Sequence, residues 1–462
     1  MFLTMMKVCR TLLAATLLLA AQWSLAAPAG EVEFAQGLAS AQQSGQSPRF
    51  LSKGDVLQEG DVLNTGAKGF AIIAFPDGSK VTLRPNTSFA IDQYNAAAGQ
   101  EAAFFRLLKG GLRTITGAIG RAKPEAVRFS TSTATIGIRG TSFDARICDA
   151  DCAIEEARGG GAKPKPGVVA DSVVARVAVL TGSAVITGAD KQTRTVAKGA
   201  ALYTGDTIRT EKGGYAVLAF RDETRITVAS ESEFRLENVR FTGEKSDSGS
   251  FAVRLVRGTA RTLTGLLARR DPKSFQYSAG NATIGIRGTG FDTRVEQECA
   301  AGKCADSVYA LLWDGSIALE VGQQSLLIPL NRAALFNALQ NRLAVLDLVP
   351  QFFTIEPAPR PDLISVEDNL FSAVDVKAVP PGLYVNVRDG HILFLGLNNR
   401  GIDLGRFESG YLGIGVDTPQ RLTRVPQFIL NDPIPAPENF DLKLLRLLET
   451  LGDSSRGLIC EM

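Results

Sequence analysis

Arg139 and Thr141 stand near the end of the octapeptide ATIGIRGT, residues 134 to 141, and Arg287 and Thr289 stand at the same places in an identical octapeptide, residues 282 to 289. A guanidinium fork is suited to gripping a carboxylate or a phosphate through two parallel hydrogen bonds. That grip serves either an anionic ligand or an internal carboxylate. The internal candidates are Asp144 or Asp61 for Arg139, and Asp292 or Asp206 for Arg287. The internal clamp is the favoured reading, because function tends to sit in loops more than in a motif repeated at a module core.

Little else could do chemistry. His391, in RDGHIL, is the one imidazole of the chain, so triads and metal clusters built on histidine are excluded or reduced to one member. Its expected place is a turn or strand surface. No nucleophile elbow, phosphate loop or dinucleotide fingerprint occurs in a strand-to-helix setting. A carboxylate pair is the formal catalytic option left, and the chain reads as a non-enzyme without a cofactor. Cys148 and Cys152 follow the first octapeptide, and Cys299 and Cys304 follow the second at the equivalent place. Local disulfides suit that pairing in an exported protein; a zinc site is the rival, weakened because no His lies near the four thiols. Cys460 is left over, as a free thiol or an intermolecular bridge.

The elements that position these residues come in two copies. RLLKGGLRTITG, from Arg106, matches RLVRGTARTLTG, from Arg254, at the octapeptide's offset of 148, while FAIIAFPDGSKVTL, from Phe70, matches YAVLAFRDETRITV, from Tyr215, at an offset of 145. The three-residue difference falls between Asp92 and Phe104 and their counterparts. A duplication of this extent means one module used twice. The runs alternate with period two and break at Gly and Asp, so the fold class is all-β: tandem β-sandwich or short β-solenoid modules. Asp77-Gly78 marks a hairpin; Glu223 replaces Gly78 in the second copy, which predicts a different or longer turn there. Alternation places Ala134, Ile136 and Ile138 on a buried face and Thr135, Gly137, Arg139 and Thr141 on the other, with the glycines leaving room for a backbone or a ligand.

The order GD-x-x-x-TG, F-x-DGS-x-x-x-L, L-x-x-G-x-x-R and T-x-x-A-T-x-G-x-RGT-x-F, carried by the first copy with several of its motifs recurring in the second, resembles the FecR domain. That family is named for a periplasmic sensor acting through a sigma factor, so the resemblance implies periplasmic sensing. The founding pattern of an anti-sigma segment and a membrane span does not fit the first residues here. Met1 to Ala26 has Lys7 and Arg10, a short apolar stretch and small residues at Ser24 and Ala26, the pattern of a cleaved secretory signal. The mature chain is expected in the periplasm or secreted, with no membrane span after cleavage.

The expected layout is a signal over 1–26, modules over 31–170 and 171–330, a helix and Pro-rich linker over 331–361, and a small β segment with a terminal helix over 362–462. Leu335, Leu339, Leu343 and Leu346 predict the first helix; Leu444, Leu445, Leu448 and Leu451 predict the second. Val174 to Gly188 can close the first module or open the second. The chain has 50 basic and 48 acidic residues, and loss of Lys7 and Arg10 balances them. Balance argues against nucleic acid as a partner. The expected partner is an envelope protein, a glycan or a small ligand, with a scaffold role in an envelope or secretion assembly as the alternative. Peptide mapping without reductant is expected to recover Cys148 linked to Cys152 and Cys299 linked to Cys304; a peptide joining Cys148 to Cys299 would contradict the local pairing.

Overall fold

A computed structural model describes residues 28–158, 173–242, 246–286, 288–300, 302–376, 378–435 and 437. The signal, Cys460 and the terminal leucine stripe lie outside the described residues.

The second module shows the plan. One sheet runs Ala175–Thr181, Tyr215–Phe220, Arg225–Val228, the latter part of Ser248–Leu263, Gly290–Ala300, Lys303–Asp314, Ala333–Asn337 and Arg342–Val345. The facing sheet runs Ala184–Thr187, Thr207–Thr210, Glu233–Thr242, the first part of Ser248–Leu263, Phe275–Ala279, Ala282–Ile286, Ile317–Val321 and Gln324–Ile328. The chain passes back and forth between the sheets and each pass lies beside the one before. The module is a sandwich wound in the manner of a solenoid, so the two expected architectures merge. Val177, Leu218 and Phe291 from one sheet meet Ile208, Phe234 and Tyr277 from the other in a single apolar core. Burial of that apolar surface is the main stabilising term. Val174 to Gly188 opens this module.

The octapeptide has the expected buried face, with Ala134, Ile136 and Ile138 at most 2% exposed. The alternation then breaks. Gly140 and Gly288 both adopt φ +61°, a left-handed conformation that glycine takes without steric cost. At this kink the first module's strand Ala134–Cys148 leaves Val127–Ser130 and pairs with Gly111–Ile115. The change of parity buries Thr141 and Thr289, whereas unbroken alternation puts Thr141 on the face opposite Ala134, Ile136 and Ile138. Glu223 brings a second correction. It takes φ +69°, close to the +81° of Gly78, and both turns close with the same bonds, Phe75 N to Ser79 O and Phe220 N to Thr224 O at 2.9 Å. The Asp222 carboxylate holds this turn by accepting from Thr224 N and Oγ1, at 3.1 and 2.8 Å.

Two parts of the layout expected after residue 330 differ in the structure. Residues 331–346 form no helix; Ala333–Asn337 and Arg342–Val345 are paired strands. Asn337 Oδ1 accepts from Gln340 N at 2.9 Å and Asn341 sits at φ +48°, so turn chemistry overrides the leucine spacing. The C-terminal β segment is no separate third unit either. Gly382–Gly396 pairs with the whole first octapeptide strand, from Cys148 opposite Gly382 to Ala134 opposite Gly396. It does there what Lys303–Asp314 and Ile317–Val321 do in the second module. Gly401–Leu404, Ser409–Gly413 and Gln420–Leu422 then repeat the pairings of Gln324–Ile328, Ala333–Asn337 and Arg342–Val345. Even the short helices that follow, Gln351–Thr354 and Gln427–Leu430, grow from matching VPQF sequences. The second module is therefore inserted into the first, whose last strands arrive some 230 residues later in the chain.

Ending the chain after residue 360 is expected to leave residues 173–360 resistant to proteolysis while 28–158 becomes a substrate, since the octapeptide strand loses its neighbour. Equal resistance of both regions would show that the first module needs no completion.

Candidate functional site

The core holds a repeated ion pair that the sequence motifs did not single out. Arg113 Nε donates to Asp144 Oδ1 at 2.7 Å, and its counterpart Arg261 Nε donates to Asp292 Oδ2 at 3.1 Å. Each pair spans directly opposed residues of neighbouring strands, and both are nearly sealed from solvent. The remaining guanidinium nitrogens reach the strap that closes the module. Arg113 Nη1 donates to Ile434 O at 2.5 Å, and Arg261 donates to Ala358 O and Phe353 O at 2.6 and 2.9 Å. Burial pushes the Asp292 carboxyl up against the pull of Arg261 and the Trp313 N–H. A further bond to each aspartate comes from the late strand: Arg388 Nε to Asp144 at 2.7 Å, Trp313 Nε1 to Asp292 at 2.9 Å.

Asp61 and Asp206 have arginine partners within their own modules. Asp61 accepts from both terminal nitrogens of Arg49, at 2.9 and 2.6 Å, and Asp206 from Arg194 Nη2 at 2.5 Å. The side chains of Arg139 and Arg287 lie outside the described residues. Thr141 and Thr289 are 2% and 1% exposed; their amides donate to Thr116 Oγ1 and Thr264 Oγ1 at 2.9 and 2.7 Å. Thr141 Oγ1 also donates to His391 O at 2.6 Å. Both threonines are thus buried at the kink and bonded to the segment beside it. The disulfides join the expected partners, Cys148 to Cys152 and Cys299 to Cys304. The first fixes helix Ala150–Arg158 to the end of the octapeptide strand; the second closes a hairpin tip.

The two modules dock through a buried ionic knot. Arg176, at the start of the second module, is fully buried and donates to both oxygens of Glu408 at 2.5 Å and to Gly199 O at 2.8 Å. Burial opposes its charge, but Glu408 and Asp403 hold the guanidinium above its ordinary pKa. Arg421 donates to Asp403 O at 2.9 Å; burial, and then the neighbouring Arg176, pull it down to about 10.

Beside the knot lies a cleft of about 710 Å³ with walls from both modules. The first module supplies Gly137, Gly140 and Asp389 to His391; the second supplies the Gly188 to Thr195 hairpin, Tyr203 and Asp206. His391 is 5% exposed, so it is no surface residue, and its Nδ1 lies 3.5 Å from Asp403 Oδ1. Tyr203 packs 6.0 Å from the His391 ring, with the guanidinium groups of Arg194 and Arg406 over its own ring at 5.9 and 5.6 Å. Burial pushes the Tyr203 hydroxyl pKa up, with Glu408 adding to the effect. The rim carries Arg121, Glu125 and Asp190. Its volume falls in the range of small-ligand sites, and its mixed charges suit a polar ligand held by hydrogen bonds. Gly137 and Gly140 of the first octapeptide line it. Among the described residues no group of three or more His, Cys, Asp or Glu is placed to hold a metal.

Sequence reasoning had Arg113 and Arg261 in hand within the two R-T-x-T-G segments and passed over them. Tyr203, Arg194 and Arg406 carried no signal, because the cleft exists only where two distant segments meet.

The FecR protein family model matches residues 61–160 and 206–307, one match in each module. Two solved structures, both of a candidate anti-sigma factor from Parabacteroides distasonis, are similar at 16% and 14% identity, each with a TM-score of 0.26 and covering 32% of this chain. The likeness spans 62% of the length of those chains. No curated protein matches the chain.

Arg261→Ala is expected to cost about 3–5 kcal/mol by leaving the buried Asp292 without a cation, and Arg113→Ala to cost less, because Arg388 still pairs with Asp144; both are read by thermal and denaturant unfolding. Lysine at either place should restore little, because an ammonium cannot span the aspartate and the strap carbonyls together. Unfolding curves unchanged from wild type would remove the pair from the core.

Proposed function

We propose that this tandem FecR-domain chain is a non-enzymatic binding or sensor protein of the cell envelope, exported through its first 26 residues, which takes a polar small molecule or glycan fragment in the cleft between its modules. The observation that carries this reading is the cleft itself, a space of ligand size bounded by both modules and reaching the knot that docks them through His391, 3.5 Å from Asp403. A ligand held there contacts both walls and so stabilises the docked arrangement by mass action, which is the physical requirement for a sensor. The family match supports a regulatory role, and two disulfides suit an oxidising compartment. A scaffold role draws on a different feature, the uncovered ends of the nested sandwich.

Gly137→Leu separates binding from folding. A Cβ built at Gly137 meets nothing nearer than Leu393 Cβ at 3.8 Å, so the variant should melt like wild type while filling the cleft. Equilibrium dialysis against the low-molecular-weight fraction of an envelope extract, read by mass spectrometry, should show a compound retained by wild type and lost by Gly137→Leu. Retention by both proteins, or by neither, would reject the cleft as the binding site.

A further inference from the structure

The knot between modules joins the end of one sandwich to the start of the next, and the chain has one more end and one more start. The shared registers identify them. Arg176 lies opposite Ala219 and Ala201, and Glu31 lies opposite Ala74 and Val56, so Glu31 holds in the first module the place of Arg176 in the second. Ser409 lies opposite Asn386 and Ala333 opposite Leu311, which gives Arg332 the place of Glu408; the residues just before them, Phe407 and Asn331, share a left-handed backbone at φ +64° and +59°.

The ion pair of the internal joint is thus present again at the free faces with its signs exchanged. Inside the chain the end is acidic, at Glu408, and the start basic, at Arg176; on the free faces the end is basic, at Arg332, and the start acidic, at Glu31. Glu31 and Arg332 are exposed, while Arg176 is fully buried by docking. Apolar side chains surround both free positions. Val56 is 48% exposed at the start, and Leu327 and Leu330 are 66% and 56% exposed at the end. The corresponding Ala201 in the internal joint is fully covered.

We propose that copies of this chain join head to tail, the end of the second module of one copy docking on the start of the first module of the next, with Arg332 on Glu31 and Leu327 and Leu330 against Val56. The occupant of each free face is a second copy. The exchanged signs also reject wrong joints: Glu408 on Glu31, or Arg332 on Arg176, would press like charges together as they are desolvated. A contact between two different faces propagates into a ring or an open chain, and its charge pairing weakens as salt rises.

Sedimentation velocity of the full exported chain over a concentration series tests this. Wild type should associate, less so at high salt. Glu31→Arg alone and Arg332→Glu alone should each sediment as monomers with the circular dichroism and melting of wild type. Leu327→Ser should weaken association without a change of charge. An equimolar mixture of the two charge variants should associate again, because it matches the unaltered Arg332 of one with the unaltered Glu31 of the other, and the two introduced charges with each other. A wild type that is monomeric throughout, association that both variants retain, or a mixture that stays monomeric would each overturn the proposal.

Discussion

A fifteen-residue strand with an apolar inner face cannot be left at the edge of a sheet. That constraint orders the whole chain. In the second module the octapeptide strand is followed at once by a neighbour, and the winding runs on. In the first module the chain leaves after Cys148 and builds an entire second sandwich before Gly382–Gly396 returns to cover the edge. The first module therefore depends on contacts of high sequence separation, the kind that make folding slow. The inserted module can fold from local pairings and deliver the closing strands.

Buried arginines mark each place where a late segment meets an early one. Arg113 and Arg261 tie a strand to the closing strap, and Arg176 ties one module to the other. Such groups are an uneconomic source of stability, because desolvation offsets much of their attraction. Their geometry is nevertheless selective. A guanidinium that bonds a carboxylate with one nitrogen and a strap carbonyl with another is satisfied in only one arrangement of three segments. The same logic extends to the cleft, whose Tyr203 and His391 are brought together only when that arrangement is reached.

Most of the fold was legible, and what was missed has definite causes. Period-two alternation identified the buried face of Ala134, Ile136 and Ile138, because a strand's parity needs no tertiary information. Thr141 was misplaced because the parity change at Gly140 depends on a backbone dihedral that the letter G permits but does not demand. The strands at Ala333 and Arg342 were hidden by leucines at helical spacing, although Asn337 and Asn341 between them were turn residues in plain view. RDGHIL shares only Asp-Gly and an isoleucine with WDGSIA of the second module, and that it belongs to the first module followed only from its pairing with residues 134–148. The cleft was illegible, since its walls come from segments with no shared pattern.

The nested architecture is tested most directly by native-state hydrogen exchange on the intact chain. The account predicts that amides of 383–395 exchange with the same protection as those of 134–148, through one shared opening and with the same response to denaturant. Faster and independent exchange of 383–395, with 134–148 still protected, would show that the C-terminal strands are an appendage and that the first module is complete without them.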